Sequence, residues 1–152
     1  MKPTLNPNCM FCKILTKAVE APIVLENGNA LVFLDHRPLF PGHCLVIPKT
    51  HLETIQDLSD DLVTTLFSMA KMLASAMELG LHAEGTFIAA NNRVSQSVPH
   101  FHIHVVPRRK GDGLKGFFWP RRKYKDQEEI HQTIAALQSA LRQVGPAGGI
   151  LG

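Results

Sequence analysis

The residues with the clearest chemical potential are three histidines at alternate positions, His100, His102 and His104. Apolar residues separate them. Because successive side chains of a β-strand point to opposite faces, the pattern predicts a strand over 100–108 with an apolar face and an imidazole face. At roughly 3.3 Å per residue, the outer two histidines would stand about 13 Å apart, too far to bind one small ion together. The imidazoles therefore need at least two roles, unless this is an ordinary half-buried strand that happens to carry histidine.

Two cysteines, Cys9 and Cys12, form a Cys-x-x-Cys pair near the start of the chain. A redox pair of the thioredoxin type would follow a strand and begin a helix, whereas this pair precedes the first predicted strand. In a reducing compartment such a pair is more often a metal clip or a redox pair than a structural disulfide. The sequence thus favours a metal site if further ligands exist, and two reduced thiols in a small core are the alternative.

Positive charge is concentrated in the residues that follow the histidines, although the net charge of the chain is only +3. A solvated basic loop and a site for an anionic substrate such as a nucleotide both fit this stretch, and nucleic acid fits it less well. Its basic residues are Arg108, Arg109, Lys110, Lys115, Arg121, Arg122, Lys123 and Lys125.

The elements that position these residues begin with four further strands. Strands are predicted over 23–26 and 30–35, joined by Asn27-Gly28-Asn29, which is a strong hairpin signal. Two more are predicted over 43–48 and 85–90. Together with the histidine strand they predict a five-stranded sheet.

Two helices complete the predicted fold. Ser59 is the expected N-cap of a long helix with Asp60 in its first turn, and Gly80 is placed to end it. A second apolar stripe on this helix indicates burial on two sides and hence self-association; it comprises Val63, Phe67, Ala70 and Ala74. A C-terminal helix is predicted over 126–143. Short connections between strands favour an α+β domain on an antiparallel sheet, with a single domain over 1–144 and a flexible tail over 145–152.

Composition is that of a soluble globular protein, with 45% hydrophobic and 19% charged residues in 152. No uninterrupted apolar run approaches the roughly 20 residues of a membrane span. Residues 1–8 lack the apolar region of a secretory signal. We therefore expect a cytoplasmic protein without a membrane partner.

The histidine strand, with Ser-Gln-Ser-Val-Pro directly before it, Phe-Leu-Asp at 33–35 and Pro-Gly-His-Cys-Leu-Val-Ile-Pro-Lys-Thr-His at 41–51, resembles the histidine triad (HIT) superfamily of nucleotide hydrolases and transferases. The resemblance covers about 9–120 and is greatest to the Hint-like branch with an N-terminal Cys-x-x-Cys. It implies an α+β meander with one long central helix, usually a homodimer joined through that helix and a neighbouring strand.

The resemblance also implies chemistry at the α-phosphorus of a purine nucleotide, with His102 as the nucleophile and His104 on the phosphate oxygens. Gln96 and Ser97 would lie beside the scissile bond, with Ser97 near the leaving group. The implied nucleotide contacts are Asp35 on the ribose hydroxyls, Asn91 on ribose or phosphate, and Phe11, Ile14, Phe33 and Leu34 around the base. From the residues alone, Asp35 before Pro38 reads first as a turn former.

Imidazole suits the role of nucleophile because its reference pKa of about 6.5 leaves it mostly uncharged at neutral pH. It must present one bare nitrogen, so its other ring nitrogen should donate to a backbone carbonyl or a similar acceptor. The developing negative charge needs hydrogen-bond donors already in place.

A structural zinc ion is the implied cofactor. Related uridylyltransferases bind zinc through positions that correspond here to Cys9, Cys12, His51 and His100. Such a Cys₂His₂ set is closed, which marks a structural and not a catalytic ion. The loop over 91–96 departs from the family because it is about two residues shorter and lacks glycine; Arg93 is the candidate to replace backbone donors to phosphate.

The expected function is a zinc-containing, dimeric purine-nucleotide phosphoramidase or dinucleoside polyphosphate hydrolase. The alternative is a nucleotide-binding or scaffold dimer with little or no turnover. Binding of single-stranded nucleic acid ranks last, since one tryptophan, Trp119, and one tyrosine offer few platforms for base stacking.

Overall fold

The computed structural model describes residues 4–114 and 122–144. It divides into two compact units, Met1–Asp112 and Gly113–Gly152. The first unit holds all five strands and the helices around the site, and the second holds helix α3, Gln127–Val144. The predicted tail over 145–152, and the part of the basic stretch over 115–121 that includes Trp119, lie outside the described residues. The expectation of one domain over 1–144 stays a prediction.

The first unit is built on a five-stranded antiparallel sheet, which confirms the expected α+β class. The strand order is β1-β2-β3-β5-β4, so β5 lies between β3 and β4 and the meander is not in simple sequence order. Helix α2 makes the crossover between β3 and β4. The strands are β1 (Ile23–Glu26), β2 (Ala30–Leu34), β3 (Cys44–Pro48), β4 (Gly85–Ala89) and β5 (Ile103–Arg108).

The predicted hairpin between β1 and β2 is confirmed. The Asn27 side-chain oxygen accepts hydrogen bonds from the backbone N–H groups of Asn29 and Ala30, at 2.9 and 2.8 Å. The Asn27 N–H donates in turn to the Ala30 carbonyl over 3.0 Å. This local network closes the turn and fixes the register of the two strands.

Helix α2 (Asp60–Leu81) begins as predicted, because the Ser59 hydroxyl accepts a hydrogen bond from the Leu62 N–H at 3.3 Å. Its predicted end at Gly80 is wrong. The helix continues to Leu81, which packs so closely on Gly42 that a Cβ there would collide with it. His82, with φ 55°, takes the left-handed conformation that closes the helix.

One face of α2 packs on the sheet, through Leu66, Met69, Ala70, Leu73 and Met77. The second apolar stripe is only partly buried by the described residues. Ala70 is 1% exposed and Val63 packs against the core, whereas Phe67 remains 42% exposed. By length and composition alone, α2 is long and apolar enough to cross a membrane. Core helices of soluble proteins meet the same two criteria. The packing of α2 on the sheet accounts for the apolar face described above.

The sheet is covered on both faces, and the two faces hold different clusters. Val32, Val46 and Ile103 point to the α2 side. Leu31, Phe33, Leu45 and Ile47 point to the opposite side, where the short helix α1 (Met10–Leu15) packs with Cys9, Phe11 and Cys12. His104 pairs with Leu45 across the β3–β5 ladder and therefore lies on the α1 side.

Strand β5 begins at Ile103, so the prediction of a strand from His100 was wrong at its start. The Phe101 N–H donates to the Leu52 carbonyl at 2.7 Å, and the His100 N–H donates to the Val98 carbonyl at 2.8 Å. These bonds lead outside the ladder with β3, which begins three residues later. Phe101 and Ile103 are nonetheless fully buried, so the alternation of apolar and imidazole side chains persists.

Candidate active site and metal centre

A cavity of about 380 Å³ lies on the α1 side of the sheet. Apolar side chains from α1 and β2 form part of its wall, and three histidines, His36, His102 and His104, line it. Eight residues singled out in the sequence line it: Phe11, Ile14, Phe33, Leu34, Asp35, Ser97, His102 and His104. An apolar wall with a few polar groups is the usual composition of a small-molecule site.

His102 presents one bare nitrogen to this cavity. Its Nδ1 lies 2.7 Å from the carbonyl oxygen of His100, and since a carbonyl can only accept, Nδ1 carries the hydrogen. The lone pair is therefore on Nε2. Burial lowers the pKa of His102, against the opposing effects of the His100 carbonyl and the Asp35 charge, which favours the uncharged, nucleophilic form.

His104 has the opposite tautomer, set by a chain of three groups. The Leu39 N–H donates to His43 Nδ1 at 3.1 Å, so His43 carries its hydrogen on Nε2. That Nε2–H donates to His104 Nδ1 at 2.9 Å, which leaves the hydrogen of His104 on Nε2. His104 is thus a hydrogen-bond donor, and His102 is a base.

Burial keeps the imidazoles of His43 and His104 uncharged. It lowers the pKa of His104 to about 4, with neighbouring His102 and His43 acting in the same direction. The pKa of His43 is also lowered by burial, partly offset by the Asp35 carboxylate, whose Oδ2 lies 3.7 Å from His43 Nε2. At neutral pH both imidazoles are therefore uncharged.

His43 was missed as a functional residue in the sequence. The signal was present: His43, Leu45 and Ile47 alternate in the predicted strand over 43–48, and the latter two point to the α1 side. Alternation therefore places His43 on the imidazole side of the sheet.

Asp35 serves the turn that follows β2 and also faces the cavity. Its Oδ1 accepts a hydrogen bond from the Arg37 N–H at 2.9 Å, as expected of a turn former. Its side chain is 15% exposed. The second carboxylate oxygen is thus not used by this turn.

Asp35, His43 and His104 offer donor atoms within 4.8 Å of one another, a spacing that resembles a metal site. The hydrogen-bond chain argues against one. To bind a cation, His43 would need its lone pair on Nε2 and its hydrogen on Nδ1, where it would meet the Leu39 N–H donor. This group is a hydrogen-bond network.

A second group of donors fits a metal ion much better. Cys9, Cys12, His51 and His100 bring two sulfur atoms and two ring nitrogens within 4.8 Å of one another. His100 Nδ1 lies 3.5 Å from Cys9 Sγ and 3.7 Å from Cys12 Sγ, and His51 Nδ1 lies 3.5 Å from Cys12 Sγ. With Zn–S near 2.3 Å and Zn–N near 2.1 Å, tetrahedral geometry requires S···N separations of about 3.6 Å.

The surroundings of this four-ligand site support the same assignment. His100 Nε2 lies 2.9 Å from the Pro48 carbonyl, so its hydrogen is there and Nδ1 presents a lone pair to the sulfurs. Burial lowers the pKa of His100 to about 4 and raises the pKa of the Cys12 thiol. A bound cation would favour the thiolate form of Cys12, which burial disfavours.

The loop over 91–96 places the remaining predicted residues. Gln96 donates to the Glu53 carbonyl at 2.6 Å and accepts from the Arg93 N–H at 2.9 Å. Asn91 donates to the Ser95 carbonyl at 3.0 Å. Both amides thus bond to backbone groups, and neither residue is among the described residues that line the cavity. Arg93 and Ser95 have φ of 71° and 60°, the region that favours glycine.

Comparisons with known proteins give a family match. A family model described as "HIT domain" matches residues 16–111. Adenosine 5'-monophosphoramidase HNT1 of Saccharomyces cerevisiae is 33% identical over 138 residues, which is 88% of this chain and 84% of the yeast protein.

Two crystal structures show the same fold. A HIT family member from Bacillus subtilis is 32% identical, with a TM-score of 0.79 over 88% of this chain and 97% of that one. A zinc-bound histidine triad family protein from Mycobacterium smegmatis is 38% identical, with a TM-score of 0.68 over 88% of this chain and 98% of that one.

Proposed function

This chain belongs to the HIT family, and from that premise we propose that it is a nucleotide phosphoramidase or hydrolase. It acts at the α-phosphorus of a purine nucleotide through a nucleotidyl-histidine at His102. The observation that carries the proposal is the hydrogen bond from His102 Nδ1 to the His100 carbonyl, which leaves Nε2 as a nucleophile in a cavity that also contains Asp35 and His104.

In the first step, the Nε2 lone pair of His102 attacks the α-phosphorus and the bond to the leaving group breaks. Negative charge builds on the phosphate oxygens, and the Nε2–H of His104 is a donor already oriented by His43. The leaving group departs with the electrons of the broken bond. We assign its proton to the Ser97 hydroxyl on the cavity wall, with water restoring that proton.

In the second step, water attacks the phosphorus, the bond from phosphorus to His102 Nε2 breaks with its electrons returning to Nε2, and the nucleoside monophosphate is released. The proton lost by the attacking water replaces the one that Ser97 gave to the leaving group. Because His102 keeps its Nδ1 hydrogen, the nucleotidyl-imidazole is cationic, which makes the histidine a good leaving group. The His100 carbonyl and the Asp35 carboxylate both favour the positive charge on this ring. These contacts therefore promote formation of the intermediate, and the retained Nδ1 hydrogen allows His102 to leave as a neutral imidazole.

The base and the ribose of the nucleotide are assigned to other residues of the same cavity. Phe11, Ile14, Phe33 and Leu34 give the cavity an apolar wall that suits the faces of a purine. The carboxylate of Asp35 suits the two hydroxyls of a ribose, as an acceptor of charge-assisted hydrogen bonds.

Zinc is the proposed resident ion of the four-ligand site, supported by the S···N separations and by the zinc-bound relative. Bound there, it would supply cross-linking and no Lewis-acid chemistry, since a closed Cys₂His₂ set has no open position. It would hold α1 against the segment that carries His102.

A homodimer through α2 and β4 is part of the proposal. Phe67 is 42% exposed on α2, and Leu79 is 82% exposed near its end. Ile88, which is 41% exposed, adds an apolar residue on β4, one of the two edge strands of the sheet. These residues also support the second candidate, a nucleotide-binding scaffold in which the dimer surface matters and turnover is slow.

Turnover of adenosine 5′-phosphoramidate, beside a dinucleoside polyphosphate, tests the proposal. Wild type and His102→Ala are compared, and the quenched reaction is analysed by mass spectrometry for an adduct on His102. We expect AMP release and an adduct in the wild type only, and the ratio of the two rates identifies the substrate class. His131→Ala, on α3 in the other unit, is the matched control. Nucleotide binding without turnover of either substrate would favour the scaffold.

A further inference from the structure

The four-ligand metal site and the nucleotide cavity share helix α1. Cys9 and Cys12 are two of the four ligands, and Phe11, which lies between them in sequence, lines the cavity. Cys9 is the N-cap of this six-residue helix, and Phe11 and Cys12 lie within it. The backbone that fixes the two sulfur atoms therefore also fixes the Phe11 ring. A change at one site is therefore a change in the wall of the other.

The Phe11 ring makes edge contacts with three other rings. Its centroid lies 5.7 Å from that of His100, a metal ligand, and 5.2 Å from that of His102, the nucleophile. It lies 5.4 Å from the ring of Phe33 on the cavity wall. Phe11 is 6% exposed, so this arrangement is packed and specific.

His100 gives a second connection between the sites. Its ring nitrogen Nδ1 faces the two sulfurs, and its backbone carbonyl accepts the hydrogen of His102 Nδ1. The residue that binds the metal is thus also the residue that sets the tautomer of the nucleophile.

Helix α1 has little local stabilisation of its own. Cys9 at its N-cap makes no side-chain capping bond, and the first turn has no acidic residue. Helices of this length are not stable alone in water, so α1 depends on tertiary contacts. The metal ligands provide those contacts at its N-terminal half, and the apolar cluster with Leu31, Phe33, Leu45 and Ile47 provides the rest.

We propose that metal binding at Cys9, Cys12, His51 and His100 and nucleotide binding in the cavity are positively coupled, with Phe11 as the positioning residue between them. This inference rests on the proposed function, because it takes the occupant of the cavity to be a nucleotide. Coupling is reciprocal, so the metal raises the affinity for nucleotide by the same factor by which nucleotide raises the affinity for metal. Couplings of this kind are about 5- to 150-fold.

The test measures binding and not turnover. Metal-free protein is titrated with Co²⁺, whose thiolate charge-transfer absorbance reports the site, with and without saturating AMP. AMP affinity is measured by calorimetry on metal-free and on metal-loaded protein. A titration without protein corrects for Co²⁺ bound by AMP itself. We expect both measurements to give the same factor, about fivefold or more.

Variants identify the route. Phe11→Leu should reduce the factor towards one while Co²⁺ still binds, because the four ligands are retained. Lys13→Ala, on the same helix and not a cavity residue, should keep the wild-type factor. If Phe11→Leu does not fold by circular dichroism, Phe11→Met makes the same test with an unbranched side chain of similar volume.

The outcomes separate this inference from the proposed function. Equal AMP affinity with and without metal overturns the coupling and leaves the phosphoramidase proposal intact. If both Phe11 variants keep the wild-type coupling factor between metal and AMP binding, Phe11 is not the positioning residue between the two sites. Failure of metal-loaded protein to bind AMP, together with no turnover of phosphoramidate, overturns both proposals.

Discussion

The Nε2–H of His43 donates to Nδ1 of His104 over 2.9 Å, and this one bond decides which nitrogen of His104 faces the cavity as a donor. His43 is itself fixed by the Leu39 N–H. The two histidines that face the reaction therefore differ in role because they differ in hydrogen-bond partner. The Nδ1 of His102 gives its hydrogen to a carbonyl, whereas the Nδ1 of His104 accepts one from a neighbouring ring.

Substitution of His43 tests this network. His43→Ala removes the donor to His104 Nδ1, so His104 is free to place its hydrogen on the wrong nitrogen. We expect kcat to fall by about 10²- to 10⁴-fold, the usual contribution of a positioned proton donor. His43→Gln keeps an N–H near the same place and should restore part of the loss. Equal losses in the two variants would show that His43 has only a packing role.

Asp35→Asn tests the assignment to ribose. Loss of a charge-assisted hydrogen bond costs about 1.5–3 kcal/mol, so preference for a ribonucleotide over its 2′-deoxy analogue should fall about 10- to 100-fold in kcat/KM. Asp61→Asn, in the first turn of α2, should keep the wild-type preference. An unchanged ratio in Asp35→Asn would contradict the assignment.

Stability should depend on pH between about 4 and 6.5 in metal-free protein. The pKa of His104 is about 4 in the folded state and near 6.5 when unfolded, so the unfolded chain binds more protons in this window. The free energy of unfolding should therefore rise as pH increases from 4 to 6.5 and level off above. Urea unfolding measures this free energy. In His104→Gln, its rise between pH 4 and 6.5 should be smaller than in the wild type, by on the order of 1–2 kcal/mol. A slope identical to that of the wild type would contradict the buried, neutral state.

Metal content tests the four-ligand site directly. Protein purified without chelator should hold about one zinc ion per chain by elemental analysis, and Cys12→Ser should hold much less, because one of four ligands is lost. Cys44→Ala is the matched control, since Cys44 is buried on the α2 side of the sheet. The melting temperature should fall on chelation in wild type and Cys44→Ala alike. Equal zinc in all three proteins would place the metal elsewhere.

The dimer proposal predicts the effect of charge on the exposed face of α2. Phe67→Glu should shift the protein to monomers in analytical ultracentrifugation, because the carboxylate would have to be buried without a partner. Leu137→Glu, at a position 60% exposed on α3, is the control and should not change the mass. A wild type that is already monomeric would remove this part of the proposal.

Sequence patterns predicted the elements whose signals are local. The Asn27 turn, the Ser59 cap and the alternation of Phe101 and Ile103 with histidines depend on neighbouring residues, and the structure contains all three. Long-range bonds explain what was missed. The start of β5 shifts because Phe101 bonds to the Leu52 carbonyl, and the role of His43 depends on His104, 61 residues away.

Helix α1 was missed for another reason. Six residues are too few for helical periodicity to be recognised. The spacing of Cys9 and Cys12 is also the spacing of a metal clip, so it does not by itself indicate a helix. The i, i+3 spacing of these cysteines is itself compatible with one face of a helical turn.

The histidines that we propose as catalytic and part of the wall that we propose for the base come from separate parts of the chain. The family match begins at residue 16, after α1 has ended at Leu15, whereas His102 and His104 lie deep inside it. Under the proposed function, base selectivity should therefore respond to substitution of Ile14 in this short helix, whereas substitution of Phe11 would also disturb the His102 ring that it contacts. For protein engineering, α1 would then be a selectivity element in which Cys9, Phe11 and Cys12 are retained and the other positions are varied.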